Sequence, residues 1–428
     1  MKPEAGPSAA ARMRVIVGVS AGNLIESFDW FVYASFALYF ADSFFPKGDQ
    51  TAQLLDAAAV FAIGFMSRPI GAWLMGVYAD RMGRRAGLTL SVSLMTLGSL
   101  AIACIPPQKQ IGVLAPTLLV IIRMAQGISL GGEYGVSAAY LSEMAERKHR
   151  GMWASSLGAT PIVGQLMALC LLLVLQASLS DKALHDWGWR IPFAIGGAMS
   201  LAVLWLRRGI DETTAFAKIA DKPGPSRILA FLKHPRETGI VLAITAGGTL
   251  GFYAFTTYMQ KFLVNTAGFA KTTATQIMAV ALLISVIQHP IMGALSDRIG
   301  RKPLLIAYCA LTLVLTYPLL TMLGHTHSVW IAFVLVLLAV SVVSLYTTVS
   351  SLYKAELFPT EIRSLGVALP YAVAGSLFGG TAEYVALLFK HLGHESGFYV
   401  YVSVTAGLAL IVALVMRDTG KHSKILED

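Results

Sequence analysis

The stretch Gly22-Asn23-Leu24-Ile25-Glu26-Ser27-Phe28-Asp29-Trp30-Phe31-Val32-Tyr33 puts two acids and an amide inside an apolar run that extends from Val15 to about Phe40. A helix crossing roughly 30 Å of hydrocarbon needs about 20 residues, so the run is long enough to span a bilayer. An ionised carboxylate near its middle costs at least roughly 2.5 kcal/mol. At about 100° per residue from Asn23, Glu26 falls near 300°, Asp29 near 240°, Trp30 near 340° and Tyr33 near 280°. These five side chains share an arc of roughly 120°. Such a face has to line a protein interior or a wet cavity. A buried structural ion pair and a transport site both meet that demand, and the coherence of the face favours transport.

The composition agrees. Of 428 residues, 56% are hydrophobic and 13% charged, against about 25% charged in an ordinary soluble domain. That is the make-up of a polytopic membrane protein. In a soluble chain the net charge of +9 would suggest nucleic acid. Cys104, Cys170 and Cys309 all lie in apolar runs, at spacings that make neither a metal site nor a disulfide framework, and read as packing residues. Met1 to Arg14 is a short polar tail without a cleavage pattern, so the first span is expected to stay in the mature protein.

Apolar runs predict twelve spans, at 15–41, 54–79, 87–105, 113–142, 152–177, 189–206, 238–262, 273–295, 303–323, 328–352, 365–389 and 397–416. The predicted fold is an all-α membrane protein of two six-helix bundles, 15–206 and 238–416. Residues 1–14 and 417–428 are expected to form cytoplasmic tails, and the charged, Pro-containing segment 207–237 a cytoplasmic linker. With the N-terminus inside, 24 Lys and Arg fall on the cytoplasmic side and 7 on the other, leaving Arg68 and Arg123 within spans. This positive-inside bias sets the orientation and explains the net charge without nucleic acid.

The two halves repeat. Gly76-Val77-Tyr78-Ala79-Asp80-Arg81-Met82-Gly83-Arg84-Arg85 returns 217 residues later as Gly293-Ala294-Leu295-Ser296-Asp297-Arg298-Ile299-Gly300-Arg301-Lys302. Glu143 and Arg150 return 213 residues later as Glu356 and Arg363. Two pairs at nearly one offset indicate duplication, which in membranes points to a two-bundle transporter. Glycines allow a tight reversal in each turn. Asp80, Arg81 and Arg84, with Asp297, Arg298 and Arg301, are expected to form a cytoplasmic gate that latches the halves together when the outside is open. Positive-inside charge alone would explain the Arg and Lys, but not a repeated Asp among spaced glycines.

Substrate evidence comes from charge inside other spans. Arg68 lies near the middle of the second. In the fourth, Gln126 at about 300° and Glu133 at about 280° from Arg123 share a face of roughly 80°, with Gly127 and Gly131 to the side, where a neighbouring helix can come close. Two guanidiniums at mid-membrane suit an anionic ligand, because each can grip a carboxylate through two parallel hydrogen bonds; alternatively they only neutralise Glu26, Asp29 or Glu133. A carboxylate in low dielectric favours its neutral form, and a neighbouring Arg favours the charged one. Movement between those environments would couple conformation to proton uptake and release. The expected substrate-binding residues are Arg68, Arg123, Gln126, Tyr33, Tyr253 and Asn23, and the proton-coupling acids Glu26, Asp29 and Glu133.

In the second half Tyr253, Thr257 and Gln260 recur at helical spacing. Tyr258 and Lys261 stand between a site role and an interfacial belt. Glu383 is a weaker site candidate, and His289 reads as packing rather than a relay. Neither a nucleophile–base pair nor a metal-ligand set is present in the pattern, so no enzyme, metal or cofactor is expected.

The paired Asp-Arg-x-Gly-Arg turns and Arg123-x-x-Gln126-Gly127 resemble the major facilitator superfamily. Asn23-x-x-Glu26-x-x-Asp29, Trp187-Gly188-Trp189-Arg190-Ile191-Pro192-Phe193 and Glu356-Leu357-Phe358-Pro359-Thr360-Glu361-Ile362-Arg363 resemble its metabolite:proton symporter branch. The runs Thr256-Thr257-Tyr258-Met259-Gln260-Lys261, Gly131-Gly132-Glu133-Tyr134-Gly135 and Gly379-Gly380-Thr381-Ala382-Glu383-Tyr384 are similar to the α-ketoglutarate permease group within it. That resemblance implies proton-driven uptake, across an inner membrane, of a small organic acid, a dicarboxylic 2-oxoacid such as α-ketoglutarate; a monomer is expected. Citrate, shikimate or a betaine are the alternatives within the branch, and a receptor that binds without translocating is the alternative outside it. Ser27-Phe28 and Pro161 depart from the branch pattern on cavity-lining helices, which leaves room for a shifted preference. The chain stops soon after Met416, unlike osmolyte carriers with a long C-terminal coiled coil, which argues against an osmosensor. Arg68→Lys keeps the charge but loses the planar fork, so uptake should fall sharply; near-normal substrate affinity in that variant would remove Arg68 from the site.

Overall fold

The computed structural model describes residues 9–82, 84–131, 138, 142, 149–207, 231–360, 362–420 and 422–425. Side chains of 9–21, of most of 76–88 and of 203–207 lie outside that description. So do Glu133 and most of the central linker. Fifteen helices carry the architecture. In the first half they are α1 (Ala9–Phe44), α2 (Gln50–Met66), α3 (Arg68–Met82), α4 (Arg84–Cys104), α5 (Leu114–Leu130), α6 (Arg150–Ser178) and α7 (Arg190–Arg207). The second half has α8 (Pro235–Phe255), α9 (Thr257–Asn265), α10 (Lys271–Ile299), α11 (Arg301–His325), α12 (Val329–Leu357), α13 (Arg363–Ala374), α14 (Ala382–His391) and α15 (Ser396–Val415). Among the described residues, eight helical stretches are long and apolar enough to cross a membrane, and Thr89–Cys104 and Leu114–Leu130 are shorter apolar helices. Twelve spans are consistent with this set. Apolar side chains such as Trp73, Val314, Leu408 and Val415 stay exposed on the outer faces, where hydrocarbon replaces water.

Several spans are broken, each for a local reason. Pro69 has no N–H and its ring excludes the helical bond to the Phe65 carbonyl, so the second span turns at Ser67 between α2 and α3. The freed Phe65 carbonyl accepts instead from the Ser376 hydroxyl at 2.6 Å, a contact between the halves. The seventh span breaks at Thr256, whose hydroxyl bonds back to the Phe252 carbonyl at 2.7 Å. In the eleventh, one π-helical turn at Gly375–Gly379 separates α13 from α14; such turns often mark functional sites. The tenth span runs five residues beyond its predicted end and stops at Leu357, because Phe358 precedes Pro359 and is pushed into extended backbone.

That extension corrects the charge count. Lys354, assigned above to the cytoplasmic side, lies inside α12 and is fully buried. Tyr258 and Lys261 are also buried rather than interfacial. Tyr258 donates to Glu395 at 3.0 Å, and Lys261 pairs with Glu383 at 2.5 Å. His289 is a satisfied core side chain, between the Ser285 carbonyl and the Thr347 hydroxyl. Of the cysteines only Cys309 is buried; Cys104 and Cys170 face outward.

The halves meet along α6 and α10. At one end of this pair the Asp297 carboxylate accepts the backbone N–H groups of Gly151 at 2.7 Å and Met152 at 3.0 Å. These are orphan donors of the α6 N-terminus, where a negative charge is also favoured by the helix dipole. Gly151 and Gly293 make the approach possible: a Cβ on Gly293 would stand 2.7 Å from the Gly151 carbonyl oxygen. Arg301 holds Asp297 at 3.3 Å and Glu356 at 3.3 Å, and Gly300, at φ +94°, supplies the reversal before it. Arg298 is exposed. The side chains of Asp80, Arg81 and Arg84 lie outside the described residues. Beneath this cluster the C-terminal segment is docked: Lys424 donates its N–H to the Glu356 carbonyl, and Asp418 accepts from the Arg301 N–H. At the opposite end Asn265 reaches Thr51, and Lys271 reaches His185.

Asp297→Asn should weaken the α6 contact by about 1 kcal/mol, shifting closure at that end about fivefold toward open. In a protein freed of its three native cysteines, a cysteine placed at Ser155 should then react correspondingly faster with a soluble thiol reagent. An unchanged labelling rate would take Asp297 out of the latch.

Candidate functional site

A cavity of about 120 Å³ lies where the helix breaks converge, walled by both halves. From α1 come Asn23, Glu26, Ser27, Trp30 and Phe31; from the bend of the second span, Phe65 and Arg68; from α6, Thr160 and Pro161. The second half supplies Thr249 and Tyr253 from α8, Tyr371 from α13, and Gly375 and Ser376 from the π-helical turn. Pro161, out of pattern in the sequence, therefore sits on the cavity wall.

The predicted polar face of α1 divides into two layers. Glu26 and Asn23 face the cavity. Asp29, one turn on, does not: its carboxylate lies 3.5 Å from the Arg123 guanidinium and accepts from Gln126 at 3.0 Å and from the Ser99 hydroxyl. Gln126 in turn accepts from Arg123 at 2.7 Å and donates to Ser99 at 3.2 Å. Asp29, Ser99, Arg123 and Gln126 are all buried. In this network one carboxylate and one guanidinium cancel, while Arg123 Nε and Nη2 stay buried without an acceptor. Tyr33 belongs to the same layer, donating to the Ala57 carbonyl at 2.9 Å with its ring 4.1 Å from the Arg123 guanidinium carbon.

Trp30 separates the layers. The Arg68 guanidinium carbon lies 4.5 Å from the centre of the indole and the Arg123 one 4.4 Å, within cation–π range for each. Arg68 also lies over Phe65 at 3.6 Å. Its neighbours in charge and polarity are Tyr253, Tyr371 and Glu26, with the Tyr253 hydroxyl in hydrogen-bonding reach. Two donors on this wall, Arg68 Nε and Trp30 Nε1, are buried without an acceptor. Buried polar groups are nearly always paired, so such donors need an explanation. A ligand carrying anionic oxygens supplies one.

Of the predicted substrate residues, the structure brings Arg68, Asn23 and Tyr253 to the cavity together with the acid Glu26. It sets Arg123, Gln126, Tyr33 and Asp29 behind Trp30. Glu133 lies outside the described residues. Sequence reasoning missed Ser99, Ser376 and Tyr371, neutral side chains in apolar helices with no spacing signal. Pro69 was the available clue to Ser376, since it announces a carbonyl in need of a donor. Lys261 and Glu383 form a buried pair on α9 and α14, the segments beyond the two breaks.

Membrane-crossing helices broken at the level of a charged cavity between two sets define a secondary transporter. A family model described as the Major Facilitator Superfamily matches residues 19–382 and 289–427, and the chain belongs to that family. It is 48% identical over 414 residues to the alpha-ketoglutarate permease of Escherichia coli (strain K12), covering 97% of this chain and 96% of that one. Identity to the citrate-proton symporter of Klebsiella pneumoniae is 33% over 415 residues, with 95% and 93% covered. Among solved structures, the xylose transporter XylE from E. coli in a partially occluded inward-open conformation superposes with a TM-score of 0.76 at 19% identity, over 95% of this chain and 97% of that one.

Arg123→Met should leave Asp29 buried without its cation and cost about 3–5 kcal/mol. Adding Asp29→Asn should recover most of that loss, read as melting temperature in detergent. Two single-variant losses that simply add in the double variant would show that the pair is not coupled.

Proposed function

We propose that this chain is a proton-coupled symporter that imports a dicarboxylate, most directly α-ketoglutarate, by alternating access of the central cavity. The observation that carries the reading is the pair of acceptor-less donors, Arg68 Nε and Trp30 Nε1, on a cavity wall that also holds Glu26. The 48% identity to an alpha-ketoglutarate permease supports the choice of substrate. Arg68 grips a carboxylate of the substrate through its planar fork, with the indole N–H, Tyr253 and Asn23 completing the polar surround. Glu26 is the coupling acid because it alone of the described α1 acids faces the cavity. With Glu26 ionised, Arg68 is already balanced and the anion is held weakly. Protonation of Glu26 frees Arg68 for the substrate, so that proton and anion load together. The Asp29–Arg123 network serves as a fixed support for Trp30.

The protein sits as a monomer in the inner membrane, with both termini and the Asp297–α6 latch on the cytoplasmic side, as the excess of Lys and Arg at that side supports. Release of the latch opens the cavity inward. Labelled α-ketoglutarate should accumulate in proteoliposomes of purified protein under a pH gradient, with unlabelled α-ketoglutarate competing and betaine ignored. Saturable binding without accumulation would mark a receptor, and stronger competition by citrate would reassign the substrate. Glu26→Gln, which mimics the protonated acid, should abolish gradient-driven accumulation while sparing exchange. Intact uphill transport in that variant would move coupling to Asp29 or Glu133.

A further inference from the structure

The chain beyond α15 stays on the protein and crosses the ends of four helices of the second half. The Asp418 carboxylate accepts the N–H of Arg301, the first residue of α11, at 3.2 Å. Lys424 donates its backbone N–H to the Glu356 carbonyl, in the last turn of α12, at 2.9 Å. Its own carbonyl accepts from the guanidinium of Arg363, the first residue of α13, at 3.2 Å. Its ammonium donates to Glu237, in the first turn of α8, at 2.7 Å. Thr419 and Ile425 are buried. Helix ends leave backbone groups without partners, and this segment answers one donor of α11 and one acceptor of α12. Chain termini are poorly ordered unless tied down. Here the ties fall on the duplicated motifs, since Glu356 and Arg363 are the second-half copies of Glu143 and Arg150.

Arg301 is where this segment meets the contact between the halves. Its guanidinium holds Asp297 and Glu356, each at 3.3 Å, and Asp297 in turn caps α6 of the first half. The segment packs directly on that arginine: a Cβ on Gly420 would stand 3.3 Å from Arg301 Cδ, and one on Gly300 would collide with the Asp418 carboxylate. Arg301 and Glu356 are both buried. Charges attract each other more strongly where water is kept away, so a cover over Arg301 strengthens its hold on Asp297.

We propose that residues 417–420 and 422–425 are a strap that governs how readily the α6 end opens. With the strap down, Arg301 keeps Asp297 aimed at the Gly151 and Met152 N–H groups. With it lifted, water reaches Arg301 and Glu356, and Asp297 releases α6 more easily. Lys424 and Glu237 form the part-exposed edge from which the strap peels. None of the strap's anchors lines the central cavity, so its control acts on opening rather than on substrate contact. This rests on the reading of Asp297 as a latch.

A charge swap tests it, in protein freed of its three native cysteines and carrying a cysteine at the buried Ser155. Lys424→Glu and Glu237→Lys should each speed labelling by a soluble thiol reagent about threefold. The double variant, with the pair reversed, should return to the parent rate. A chain ended after Met416 should label about tenfold faster. Adding Lys424→Glu to Asp297→Asn should bring no further increase, because the strap acts through Asp297. Parent rates in both single variants, or increases that the swap does not reverse, would overturn the proposal. So would a shortened chain that melts earlier but labels at the parent rate, which would make the segment structural only. An Asp297→Asn variant that labels normally would sink the latch and the strap with it, an outcome distinct from a working latch that the strap variants leave untouched.

Discussion

A charge held in the membrane has to be answered by another charge close to it, and the organisation of this protein follows from how each buried ion is answered. Asp29 and Arg123 show the permanent answer. They are buried on two neighbouring helices, and Gln126 and Ser99 take up most of the remaining hydrogen-bonding capacity of the carboxylate. Removing water from such a pair is expensive, and only good geometry with further hydrogen bonds repays it. The return is rigidity rather than stability. Trp30 is pressed between Arg123 and Arg68, so a network set back from the cavity backs an indole on the cavity wall.

Arg68 and Glu26 show the conditional answer. They face a cavity walled by both halves, and in the proposed cycle each exchanges its partner, Arg68 for a substrate carboxylate and Glu26 for a proton. The proposed transport cycle needs this difference between the layers. Were both acids sealed as Asp29 is, nothing in the described cavity could respond to a proton; were both open, Trp30 would have no fixed backing.

How far this was legible in the sequence depends on what kind of signal each residue leaves. Acids and arginines in apolar runs stand out, and helical periodicity put Glu26, Asp29 and Tyr33 on one arc, and Arg123 and Gln126 on another. Periodicity has no depth, however. It could not tell that Trp30 is a wall with Glu26 on the wet side and Asp29 on the dry side, because that distinction is made by α2, α4 and α5 packing against α1. Tyr371 and Ser376 are ordinary residues of apolar helices until the breaks at Ser67 and Gly375–Gly379 bring them opposite Arg68 and Phe65. Lys354 was misread for a more instructive reason: near the end of a span, a lysine looks like part of the positive-inside signal. Only Phe358-Pro359, which sets where α12 can end, shows that the helix continues past it.

The breaks and the charges are one design. Proline at 69 and the π-helical turn at 375–379 interrupt their helices at the cavity wall, and threonine at 256 interrupts its helix just beyond the cavity-lining Tyr253. An uninterrupted helix buries its carbonyls in its own ladder and offers a substrate only side chains. A broken helix frees backbone groups that must be satisfied from elsewhere, and here one of them is satisfied across the boundary between halves, by Ser376 at the Phe65 carbonyl. Beyond two of the breaks, α9 and α14 carry Lys261 and Glu383 as a buried pair. Leaving either ion without the other inside the protein would be costly, so the pair ties these two segments together. The same electrostatic cost that backs Trp30 in one layer thus holds two segments of the second half together beyond their breaks.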